Sequence, residues 1–104
     1  MNSAQKNFGL RYLGSLSGRG LLWVADESLG EGEYSIEVSE DAGGERYAYG
    51  ILRASAEVLI RISGTHDQIK LECGQQPVSI ALLQTSKTVA YFELVDAAAM
   101  AAIH

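Results

Sequence analysis

The chain has 104 residues, a formal net charge of −5, 47% hydrophobic and 20% charged residues, and a single cysteine. That length holds one domain with one core, and the lone Cys73 excludes an intramolecular disulfide. An acidic total sets the chain against nucleic acid, whose binding draws on clustered Lys and Arg.

The charge is unevenly spread. Residues 1–24 carry Lys6, Arg11 and Arg19 and no acid, whereas residues 25–45 carry Asp26, Glu27, Glu31, Glu33, Glu37, Glu40, Asp41 and Glu45 and no base. Arg11 and Arg19 also interrupt the first apolar run, so it reaches neither signal-peptide nor membrane-spanning length. The expectation is a soluble, cytoplasmic single domain over residues 1–104 with no membrane contact, residues 1–7 and 97–104 forming mobile termini.

Along the chain the dominant hydrophobic period is two, the signature of half-buried strands. Strands are expected at 8–16 and 20–26, separated by a turn at "SGRG" (17–20), whose glycines also invite a phosphate-loop reading. Their spacing does not match G-x-x-x-x-G-K-[ST], and the following "LLWVAD" is strand-forming rather than helical. A turn is the better assignment.

After a second turn at "SLGEG" (28–32), the stretch 33–39 puts Tyr34, Ile36 and Val38 on one face and Ser35, Glu37 and Ser39 on the other. The acids of "DESLGEGE" only partly imitate a calcium loop, so no metal is assigned. A turn at "EDAGGE" (40–45) precedes a long strand, 45–54, in which Gly50 marks a bend or bulge.

The run "VLIRIS" alternates Val58, Ile60 and Ile62 and predicts a strand over 57–63. Strands at 68–73, 77–84 and 88–95 follow, divided by turns at "SGTHD", "CGQQP" and "QTSK". Ile69, Leu71 and Cys73 point inward, as do Val78, Ile80 and Leu82. The last strand, "TVAYFELV", is apolar on both faces, which suits a central position or a contact with a partner. In the tail, Asp96 is placed to cap a short helical turn docked through Met100 and Ile103, the alternative to an Ala-rich terminus that frays.

The fold expected is all-β: a small antiparallel meander barrel or flattened sandwich of about eight short strands, with room for a short C-terminal helical turn. Short links leave no space for parallel crossovers. The sequence shows no cofactor motif. Of the two histidines His104 is the last residue; His66 and Cys73 could form a Cys–His dyad in principle, but Cys73 reads as a buried small hydrophobe.

Three functional expectations follow. The first is a non-enzymatic protein-interaction or self-association module, with the contact at Val89, Tyr91, Phe92 and Leu94. The second is a barrel binding a small apolar or aromatic ligand near Trp23, Tyr47 and Tyr49. The third is an enzyme using His66.

Overall fold

A computed structural model describes residues 10–74 and 76–95. The expected termini, the start of the first strand and the C-terminal helical turn therefore lie outside the described residues. Among these residues six strands and one helix follow in order: β1 Arg11–Val24, β2 Glu27–Glu40, β3 Arg46–Arg53, α1 Ala56–Ser63, β4 Ile69–Cys73, β5 Gln76–Thr85 and β6 Val89–Leu94. They close into an antiparallel barrel in the order β1-β2-β3-β6-β5-β4. Two three-stranded meanders, β1-β2-β3 and β4-β5-β6, are joined by α1 and meet at two seams, β3 with β6 and β1 with β4.

The barrel matches the expected class, but three elements differ from the sequence reading. The strands at 8–16 and 20–26 are one strand, because "SGRG" is not a turn: Ser17, Gly18, Arg19 and Gly20 pair in unbroken register with Ser35, Tyr34, Glu33 and Gly32. "SLGEG" likewise lies inside β2. The true hairpin turn is the two-residue Ala25–Asp26, with Ala25 at φ 54, a positive φ of the kind tight hairpins use.

The third difference is α1, where a strand was expected. The Ser55 side chain caps the helix, accepting from the Val58 N–H at 3.2 Å, and the Gly64 N–H returns to the Ile60 carbonyl at 3.2 Å. Glu57 in the first turn and Arg61 in the last suit the helix dipole. Val58, Leu59 and Ile62 are the buried residues, which is helical spacing, while Ile60 is 69% exposed. The alternation of Val58, Ile60 and Ile62 was a coincidence of a short apolar run.

The core is built from alternate residues of every strand: Leu22 from β1, Tyr34, Ile36 and Val38 from β2, Ala48 and Leu52 from β3, with Ile69, Leu71, Cys73, Val78, Ile80, Ala90, Phe92 and Leu94 from the second meander. Buried residues of α1 join the same cluster. Several inward positions of the first meander are glycine, and close approach is the reason. A methyl group on Gly20 would lie 1.8 Å from the carbonyl oxygen of Glu72, so this glycine lets β4 reach β1 and close the barrel. Gly50 is no bend, since its register is regular. It receives the ring of Phe92, whose tip would stand 2.4 Å from an added methyl.

Candidate interaction surface

Because inward positions are filled with side chains, the chemistry open to a partner is on the outer wall. There the cross-strand register assembles rows of side chains. One row runs Ser17, Ser35, Ile51, Tyr91 across β1, β2, β3 and β6; the row beside it runs Ser15, Glu37, Tyr49, Glu93. Tyr49 is 48% exposed, Ile51 37% and Tyr91 45%. On β5 a bulge between Leu82 and Gln84 extrudes Leu83, 55% exposed, where Gln84 pairs with Tyr91. These four side chains form an apolar stripe across β3, β6 and β5, with Glu37 and Glu93 on either side of Tyr49.

The residues expected to make an interaction divide between the two faces of β6. Tyr91 and the half-buried Val89 face outward, whereas Phe92 is fully buried and Leu94 is 6% exposed inside the barrel. The strand is apolar on both faces because it lies between β3 and β5, with the core on one side and the stripe on the other. Sequence reasoning missed Ile51, although it shares the parity of Tyr47 and Tyr49. It missed Leu83 too, since a bulge reverses parity without any glycine or proline to mark it.

The structure does not bring the three expected ligand-binding aromatics together. Trp23 pairs near the Ala25–Asp26 turn, opposite Ser28, and Tyr47 opposite Ser39, so the two lie at opposite ends of β2. Trp23 donates its indole N–H to Glu72 at 3.0 Å, a side-chain tie across the β1–β4 seam. Tyr47 donates its hydroxyl to Asp41 at 3.1 Å.

Asp41 organises the β2–β3 turn by accepting from the backbone N–H groups of Gly43 and Glu45, each at 2.9 Å. Those bonds favour the charged form. The Glu45 N–H contributes most, the Tyr47 hydroxyl and the Gly43 and Gly44 N–H groups add to it, and together they hold the carboxyl below the ordinary aspartate value. The Tyr47 hydroxyl is correspondingly pushed up, chiefly by its bond to Asp41.

His66 is exposed in the loop between α1 and β4, and Cys73 is buried in the core. Burial pushes the Cys73 thiol up to about 11, against a smaller lowering from the Tyr34 hydroxyl, so the thiol is uncharged near neutrality. Among the described residues no group of three His, Cys, Asp or Glu is placed to hold a metal ion. Among them, too, no helix is long and apolar enough to cross a membrane.

The surface concavities among the described residues include these two. One, about 360 Å³, lies on the outer wall between Ser17, Arg19, Glu33, Ser35, Ile51 and Arg53. Arg19 is held there by Glu31 at 3.3 Å and Glu33 at 3.7 Å. The other, about 240 Å³, lies between α1 and the β5–β6 turn. No protein-family model, curated protein or solved structure matches this chain.

Proposed function

We propose that this chain is a non-enzymatic protein-interaction module whose contact surface is the outer wall of β3, β6 and β5. The observation that carries the reading is the stripe of Tyr49, Ile51, Tyr91 and Leu83, all more than a third exposed on neighbouring strands. Exposed tyrosines clustered with aliphatic side chains are what interface centres are made of. Glu37 and Glu93 flank Tyr49 while Arg53 borders Ile51 on the other side, so the occupant is a protein segment with apolar anchors and charges of both signs beside them.

The test compares the wild-type chain with a Tyr49→Ser/Tyr91→Ser variant of unchanged circular dichroism and melting temperature. Stoichiometric binding of an identified partner by the wild type, reduced at least tenfold in the variant, supports the reading. A partner held equally by both chains overturns it, as does a wild-type chain that light scattering finds monomeric and free of any co-purifying protein.

The small-ligand alternative has less support. The largest fully buried side chains, Phe92, Leu22, Ile36 and Leu52 among them, occupy the interior, and the outer cleft is lined by polar and charged groups as well as Ile51. A panel of metabolites that raises neither the melting temperature nor any change in Trp23 fluorescence ends that alternative. An enzymatic reading runs through His66, and activity unchanged in His66→Ala would end it.

A further inference from the structure

We infer that two copies of this chain pair antiparallel along the free edge of β1, about a two-fold axis at Leu16. This goes beyond the partner surface proposed above and uses a strand, β1, that carries none of the stripe.

β1 has two neighbours in the barrel, but unequally. β2 accompanies it from Arg11 to Val24, whereas β4 pairs only with Leu22, Trp23 and Val24. Among the described residues, then, the outer edge of β1 from Arg11 to Arg19 has no strand beside it, and every second residue there presents an N–H and a C=O outward. Such an edge is a template for another strand. The usable length is bounded at one end by the bulge between Tyr12 and Gly14, and at the other by Gly20, where the Glu72 backbone closes in.

Within those bounds the sequence is a palindrome: Gly14, Ser15, Leu16, Ser17, Gly18. Antiparallel pairing of a strand with its own copy about Leu16 sets Gly14 opposite Gly18, Ser15 opposite Ser17 and Leu16 opposite Leu16. Each pair then meets its own kind on the same face of the continued sheet, as an isologous interface requires. The serines lie on the outer face, where cross-strand hydroxyl pairs are favourable. Leu16 lies on the core side, only partly buried within one copy because the wall ends there, and its twin would cover what remains exposed.

Charge selects the same register. An axis at Ser15 would bring Arg11 of one copy to Arg19 of the other, twice, whereas the axis at Leu16 sets no like charges opposite one another. In the ring of six strands β1 stands opposite β6. The pair of barrels therefore leaves both apolar stripes free and is bivalent toward their partner.

The contact is short, so association is expected to be weak and concentration-dependent. Light scattering across a concentration series should show the wild type passing from monomer to dimer. The Ser15→Lys/Ser17→Lys variant sets Lys against Lys twice and should stay monomeric. The Ser15→Glu/Ser17→Lys variant sets opposite charges together and should recover the dimer, with salt weakening it. Circular dichroism and melting temperature confirm that each variant is folded, and the Tyr49→Ser/Tyr91→Ser variant should dimerise like wild type, which separates this inference from the proposed partner surface. A wild type that stays monomeric throughout, a double-lysine variant that still dimerises, or an opposite-charge variant that does not would each overturn the inference. So would backbone amides at Ser15–Gly18 already protected from hydrogen exchange in the monomer, because the chain's own remaining residues would then occupy the edge.

Discussion

The two meanders solve the same packing problem in opposite ways. The second, β4-β5-β6, uses short strands of 5, 10 and 6 residues and fills its inward positions with Ile, Leu, Val, Phe, Ala and Cys. The first has two strands of 14 residues and places glycines among its bulky inward residues. The glycines are vacancies shaped for neighbours: Gly50 for the Phe92 ring, Gly20 for the Glu72 backbone, Gly32 for the side chains of Leu52 and Leu22. Gly44, in the β2–β3 turn, shows the contrast. It has φ +89 and nothing within 4 Å of an added methyl. One glycine supplies a backbone conformation, the others supply absence of volume, and the letter in the sequence is the same.

Space is tightest at Gly20. A Gly20→Ala variant sets a methyl against backbone, which has no rotamer to escape into, and should lose more than about 4 kcal/mol or fail to fold, as read by chemical denaturation. At Gly50 the neighbour is a side chain instead of backbone. Gly50→Ala should cost roughly 1–3 kcal/mol by overpacking against Phe92, which is fully buried and has nowhere to turn. Combining it with Phe92→Leu, which removes the tip of the ring, should cost measurably less than the sum of the two single changes. Strict additivity would mean that the contact does not set the identity of residue 50.

The smallest effect belongs to the turn. Since the Asp41 carboxyl is held below its ordinary value when folded, its contribution is present above that value and is lost as the pH falls through the folded pKa. Asp41→Ala should lower the melting temperature at neutral pH, and the gap from wild type should close in acid. A gap that stays constant with pH would assign the loss to something other than the carboxylate.

Much of the outer stripe was legible because parity survives in a regular strand. Tyr47 and Tyr49 stand two apart in one strand and so share a face, and Tyr91 is a contact residue on the sequence alone. The ligand-site grouping of Trp23 with Tyr47 and Tyr49 did not assemble, because parity says which face a side chain takes and nothing of its position along a strand 14 residues long. Phe92 and Leu94 were grouped with Tyr91 and Val89 since an apolar run hides which half of it is core.

What the sequence determined by itself was the alternation, and with it the β class and the inward set of β2, β4 and β5. It also determined the Asp41–Ala–Gly–Gly turn, whose residues make their own bonds locally. The tertiary structure alone decided which glycines are turns, that 57–63 is helical, and that two meanders close on one another. Those outcomes depend on volumes and backbones distant in sequence: a ring from β6 over Gly50, a carbonyl from β4 over Gly20. A helix carrying Val58, Leu59 and Ile62 into the core belongs with them, since its alternation as a strand was equally good until packing chose.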